Sequence, residues 1–198
     1  MSSPPLSAIK ADFDELMHRI KAGRDFAHAS FEPIFYLVFS PQALLEVKRQ
    51  TPAWEARLAN DGWEVQRFSI AEAIRAILDE QPEFIRDLWQ RQDAKAPLDW
   101  TKTNNALTGA ITKNAALASR LEQQLERMEG NTNAILLVTD LEALHPYLRI
   151  GSIEGHLLGR FNVPTIFFYP GVRTGKTRLK FLGFYPEDGN YRSVHVGG

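Results

Sequence analysis

The stretch GVRTGKT, Gly171 to Thr177, holds the glycines, lysine and hydroxyl from which a phosphate-binding loop is made. In the loop G-x-x-x-x-G-K-[ST], backbone N–H groups wrap the phosphates, the lysine reaches the outer ones and the hydroxyl holds Mg²⁺. Counting back from Gly175-Lys176-Thr177 puts the first glycine's place on Pro170, which has no N–H and fixes φ at about −65°. Gly171 leaves the loop one residue short. Such a loop must also open a helix, whose free N–H groups and dipole hold the anion. Here RLKFLGFY comes next, with Leu179 and Phe181 alternating with Arg178 and Lys180 in the manner of a strand. The glycine-lysine-threonine triplet is therefore expected to turn a hairpin linking PTIFFY to LKFLGF, with no working phosphate cradle.

Other chemistry finds little footing. AILLVTD, Ala134 to Asp140, has the apolar run and terminal carboxylate of a strand that holds Mg²⁺ beside a nucleotide, but a buried strand ending in a turn-favouring Asp has the same form. After the first apolar strand, where a phosphate loop belongs, stands SPQALLEV, without glycine or a lysine beside it. His18, His28, His145, His156 and His195 show no metal-ligand spacing, no serine lies in G-x-S-x-G, and there is no cysteine for a thiolate or disulfide. PEDG, Pro186 to Gly189, reads as a type I turn. The expectation is a protein without catalytic residues, metal or cofactor.

The elements that would position these residues emerge from periodicity. Ile9, Phe13, Leu16 and Ile20 form one stripe of an N-terminal helix over residues 1–23, which Gly23 can end. IFYLVF, Ile34 to Phe39, is apolar throughout and suits a strand covered on both faces. Ser40 and Pro41 start a helix through QALLEVKRQ that Pro52 interrupts, and a second short helix about Trp54 to Leu58 stops at Asn60-Asp61-Gly62. WEVQRF is the next strand, and Ser69 with Glu72 forms a capping box before AIRAIL. Asp93 to Asn105 reads as a linker, and Leu107 to Met128 as one long amphipathic helix closed by Glu129-Gly130-Asn131. Ser152 is placed as the cap of a short helix through Arg160, and PTIFFYP closes the series. Alternating strands and helices predict one α/β domain over 1–198. Its sheet is mainly parallel and flanked by helices, P-loop-like in architecture without a working phosphate loop, with a C-terminal hairpin region over 164–196.

In such sheets ligands bind beyond the carboxyl ends of the strands, which here places Ser40, Asp140 and Tyr169 in candidate loops. Charge adds a second location. The net formal charge is −1, which speaks against broad binding to nucleic acid. From Gly171 to Arg192, however, five bases face two acids, with Tyr185 and Tyr191 among them. Arginine and exposed aromatics favour interface hot spots. Arg173, Lys176, Arg178, Tyr185 and Tyr191 are thus the candidate partner-binding residues. A second reading makes Arg173, Lys176 and Arg178 a nucleotide or nucleic-acid contact. The start MSSPPLSAIKADFDEL has no basic flank and apolar core of a secretory signal, and no run approaches membrane-spanning length, so a cytoplasmic protein with no membrane contact is expected.

The wording from LLVTDLEALHPYLRIGSIEGHLLGRFNVPTIFFYPGVRTGKTRLKFLGFYPEDGNYRS, with YLVFSP near the start, resembles the BrxB family of BREX bacteriophage-defence systems. The resemblance implies a component of a multi-protein system that methylates host DNA and blocks phage replication. It further implies that the methyltransferase, the large ATPase and the phosphatase-like PglZ are separate chains. A small adaptor that binds another BREX protein, PglZ by preference, is the role this suggests. The family brings no motif with assigned chemistry, so no catalytic residue is carried over.

Overall fold

The computed structural model describes residues 6–25, 32–175, 178–189 and 193–198. Five strands form a parallel sheet in the order β2-β3-β4-β1-β7: β1 (Ile34–Phe39), β2 (Glu64–Ser69), β3 (Ala134–Thr139), β4 (Thr165–Arg173) and β7 (Val194–Gly197). The three central strands are the three apolar runs of the sequence, and β1 and β3 are buried at every position. The alternation of side chains then divides the core in two. Tyr36, Val38, Leu136, Val138, Phe167 and Tyr169 point into one layer, and Phe35, Leu37, Ile135, Leu137, Ile166 and Phe168 into the other. Helices α1 (Leu6–Asp25) and α2 (Leu44–Asn60) cover the second layer. The first is covered by α3 (Ile70–Asp79), α5 (Thr101–Thr112), α6 (Ala116–Met128) and α7 (Ile150–His156).

Several local expectations hold. Ser69 Oγ accepts the Glu72 N–H at the start of α3, the expected cap. Gly62 and Gly130, at φ 89° and 77°, end α2 and α6 where the stop signals stand.

Others need correction. Pro52 does not interrupt the helix: α2 runs unbroken through it, because Val47, Thr51, Trp54 and Leu58 recur at steps of four, three and four and are all buried. That shared burial outweighs the lost hydrogen bond. The expected linker from Asp93 to Asn105 is mostly helical, belonging to α4 (Glu83–Lys95) and α5, with only residues 96–100 between them. The single long helix is two, broken where Asn114 and Ala115 adopt left-handed φ of 53° and 52°. Ser152 lies inside α7, whose cap position is Arg149. The N-terminal helix passes Gly23 and runs to Asp25.

The C-terminal strands decide how GVRTGKT is used. Lys176 and Thr177 lie outside the described residues, but the chain resumes directly after them as β5 (Arg178–Phe181), antiparallel to β4 with Arg173 opposite Leu179. No helix opens there. β5 is shorter than RLKFLGFY suggests, since Leu182 takes a left-handed φ of 52°. PEDG does not remain a turn: Glu187–Gly189 is β6, antiparallel to β5. The last strand, β7, belongs to no hairpin and pairs parallel with β1, closing that edge of the main sheet.

At Gly171 the β4–β5 pairing leaves no room for a side chain, since a Cβ would sit 2.5 Å from the Tyr169 ring and 2.6 Å from the Lys180 carbonyl oxygen. Gly171→Ala is therefore expected to cost about 1–3 kcal/mol. The check is the urea midpoint at unchanged slope; an unmoved midpoint would mean that the two strands are not paired at this register.

Candidate functional site

Two groups of side chains stand out. The first lies at the carboxyl ends of β2 and β3. Asp140, at left-handed φ 59°, comes directly after β3, and its Oδ2 accepts from Ser69 Oγ at 2.6 Å and from Thr139 Oγ1 at 3.0 Å. Lys48 reaches in from α2 and places Nζ 2.7 Å from Asp140 Oδ1 and 2.6 Å from Glu142 Oε1. Burial works against the Asp140 charge, yet the bonds from Lys48 and Ser69 outweigh it and hold its pKa below the ordinary carboxylate range. Burial likewise opposes the Lys48 charge, and the two carboxylates outweigh it and raise its pKa. One ammonium thus serves both carboxylates through charge-assisted hydrogen bonds, and the group carries a net charge of −1. Ser40, at the end of β1, bonds Gln42 and opens the 3₁₀ turn Pro41–Ala43, which gives that sheet end no glycine-rich curve.

Lys48→Met removes the cation from both acids. The expected cost is about 1 kcal/mol at low salt, because Lys48 is nearly half exposed. A carboxylate whose folded pKa is depressed stabilises above its unfolded pKa, and loses that contribution as pH falls through the folded value. The gap between wild type and variant in chemical unfolding should therefore be full at neutral pH and vanish through the carboxylate range. A gap that persists in acid would show that Lys48 acts through packing.

The second group is built on the antiparallel extension. Tyr185 lies just past the β5 turn, with its ring 5.6 Å from Phe181 and stacked on Phe184 at 4.8 Å. The Arg149 guanidinium stands 4.8 Å over the Tyr185 ring and donates to both oxygens of Asp188, at 3.2 and 3.0 Å. His145 Nδ1 meets the Tyr185 hydroxyl, and its ring lies edge-on to Phe184. Phe184 remains 62% exposed in the middle of this arrangement. A large apolar ring held by stacking and surrounded by a fixed arginine, a tyrosine and an imidazole suits protein contact.

The predicted residues are distributed unevenly over these places. Tyr185 is in the second group. Arg173 is half-buried, donating through Nε to the Gly175 carbonyl at 3.0 Å and through a terminal nitrogen to the His195 carbonyl at 3.4 Å, so it ties β4 to β7. Arg178 pairs across the strands with Glu187 at 3.6 Å. Lys176 and Tyr191 lie outside the described residues. Asp140 and Ser40 are at sheet ends, as expected, but Tyr169 is not in a loop. β4 continues to Arg173, leaving Tyr169 buried in mid-strand, where burial and the Asp188 carboxylate push its phenol pKa well up. Sequence reasoning missed Lys48, Glu142, His145, Arg149, Phe184 and Asp188. The signal available for the last four was their density of aromatic and charged types around PEDG and HPYLR.

The family model of BREX protein BrxB matches residues 66–196, about two thirds of the chain. The chain belongs to the BrxB family. The matched region contains the whole second group, β3 with Asp140 and the antiparallel extension, so both candidate places except Lys48 and Ser40 fall inside it. Membership makes the chain a component of a BREX phage-defence system. No curated protein and no solved structure matches. Among the described residues no helix is long and apolar enough to cross a membrane, and no three His, Cys, Asp or Glu are grouped to hold a metal ion.

Proposed function

We propose that this BrxB-family chain is a non-catalytic adaptor or assembly factor that docks another BREX protein, with PglZ the preferred partner. The observation that carries this reading is the exposed Phe184, fixed between Tyr185 and His145 beneath the antiparallel extension. Interface energy concentrates in such anchored aromatic residues with arginine nearby. The flanking residues Arg173, Lys176, Arg178 and Tyr191 belong to the same C-terminal surface in this proposal, and Ser40 and Asp140 to a sheet-end loop surface beside it. Tyr169 supports it from within.

The P-loop-like architecture stands as part of the proposal, a nucleotide-binding kind of sheet whose chemistry has been removed. Two features support it. The strand after Thr177 offers no helical N–H end to a phosphate, and Asp140, the carboxylate that follows β3, is already bonded to the Lys48 ammonium it shares with Glu142. A cytoplasmic location belongs to the same role.

Titration of the purified chain with ATP-Mg²⁺, and with labelled duplex DNA at two salt concentrations, tests the reading. No saturable nucleotide binding and no strong duplex binding are expected. Tight nucleotide binding abolished by Lys176→Ala would replace the adaptor with a nucleotide-binding module, and duplex affinity falling steeply with salt would replace it with a DNA contact.

A further inference from the structure

Strand β2 closes one end of the sheet, and among the described residues its outer edge is bare. Its Glu64 N–H donates to the Asn133 carbonyl at 2.9 Å, and in a parallel pair every second residue turns its backbone to the same neighbour. Glu64, Gln66 and Phe68 therefore bond β3, while the N–H and C=O groups of Val65 and Arg67 point away from the sheet. No described strand lies there to meet them. β2 has neither a proline nor a bulge to blunt this edge. At the opposite end of the sheet β7 is four residues long, and Arg173 already binds its His195 carbonyl.

Beside the bare edge α2 leaves a groove of about 460 Å³. Its helical wall carries Glu55 together with Pro52, Ala56 and Ala59, small side chains that leave room. Its other wall is Val65 and Arg67, which point to this face as do their register partners Ile135 and Leu137. Glu55 Oε1 is sealed from solvent and accepts no hydrogen bond among the described residues, with the Arg67 guanidinium standing off at 3.5 Å. A buried carboxylate oxygen in that state calls for a further donor.

We propose that a second copy of this chain supplies it: two β2 edges pair antiparallel about a two-fold axis perpendicular to the sheet, joining the two sheets into one. The register follows from the residues. Outward backbone groups sit on alternate positions, so the axis passes through Val65, Gln66 or Arg67. Centred on Arg67, it sets two arginines directly opposite each other. Centred on Val65, it requires the Trp63 N–H, which already donates to the Leu58 carbonyl at 3.0 Å. Centred on Gln66, it makes Val65 of each copy face Arg67 of the other, and every outward N–H and C=O of both residues is bonded. Residues that face each other across such a pair share a face of the sheet. Arg67 of the second copy thus lies beside Val65 in the groove that holds Glu55, and two arginines alternate with two glutamates around the axis. On the other face Gln66 meets Gln66 of the second copy, an amide being both donor and acceptor. The Phe184 surface plays no part in this contact, and the dimer holds or fails independently of it.

The chain has no cysteine, so a single introduced thiol reports the register. Residues opposite each other in a non-hydrogen-bonded antiparallel pair lie about 4.5 Å apart at Cα, within disulfide reach. Gln66→Cys in the full chain should therefore oxidise to a disulfide homodimer, in at least tenfold greater yield than Glu64→Cys, whose two copies lie about 14 Å apart along the strands. Light scattering of the wild-type chain should give twice the mass of one chain. Arg67→Glu, which leaves only acids around the axis, should weaken the dimer at least tenfold at an unchanged melting temperature, because Arg67 is about half exposed. If that variant melts early, the comparison of positions 66 and 64, made without it, still decides. A wild-type monomer at the highest soluble concentration, equal disulfide yields at the two positions, or a folded Arg67→Glu variant that dimerises as before would each overturn the proposal. So would a thiol at position 66 that crosslinks only to another BREX protein on co-expression, which would give the edge to a foreign strand.

Discussion

Between pH 6.5 and 4 the folded protein is expected to lose about 2–3 kcal/mol of stability through one side chain, His195. His195 is 4% exposed in β7, with its ring edge-on to Tyr36 at 5.4 Å. Ser193 Oγ lies 2.8 Å from Nε2, while Nδ1 has no hydrogen-bond partner among the described residues. With no acceptor for Nδ1, the neutral ring carries its proton on Nε2 and donates to Ser193. Protonating Nδ1 would bury a charge without a partner, and the nearby Arg173 adds repulsion. Burial first, and Arg173 second, depress the imidazole from 6.5 to about 4. Below 6.5 the unfolded chain takes up a proton that the folded one refuses, so stability is complete above 6.5 and falls as pH drops towards 4. Urea unfolding across this range should show the slope, and His195→Phe should flatten it while keeping the ring packed against Tyr36. A wild-type stability that is level from 6.5 to 4 would mean that the imidazole is hydrated in solution and β7 is loosely held.

The second large effect concerns binding. Phe184→Ala removes an exposed ring, so the melting temperature should move little, whereas affinity for the BREX partner should fall about thirtyfold, the consequence of losing a hot spot of about 2 kcal/mol. Arg178→Ala is the informative contrast. Its charge is already shared with Glu187 on the adjacent strand at an exposed position, and its loss should change affinity only a few-fold. Surface-immobilised partner with both variants in solution separates the two. Equal losses would spread the interface over general positive charge and deny Phe184 its special place.

The legibility of the fold varies with the range of the forces involved. β1, β3 and β4 are readable because a strand covered on both faces must be apolar at consecutive positions, and these three are. The Ser69 cap is readable because its donor, the Glu72 N–H, is three residues away. The strand after Thr177 is readable because Leu179 and Phe181 alternate, and both are buried. Pro52 misleads because its penalty is local, whereas the buried Thr51 and Trp54 on either side of it act through tertiary packing. The break at Asn114 and Ala115 has a hint only in the asparagine, and an alanine at φ 52° has none. β7 is four residues that gain their strand form from the open edge of β1, a partner far away in sequence. The same distance hides the sites. Lys48 meets Asp140 and Glu142 only once β1, α2 and β3 are assembled, and Arg149 meets Tyr185 only once α7 and the β5 turn are adjacent. Composition marks the C-terminal segment as a candidate contact surface but does not single out Phe184 within it.

The central claim, a docking component without turnover of its own, is tested most directly by purifying the tagged chain from cells that express each other BREX protein with it, one at a time. Stoichiometric retention of one of them, PglZ by preference, with retention abolished by Phe184→Ala at an unchanged melting temperature, is the predicted result. Retention of none, together with ATP hydrolysis by the isolated chain that Lys176→Ala removes, would contradict it.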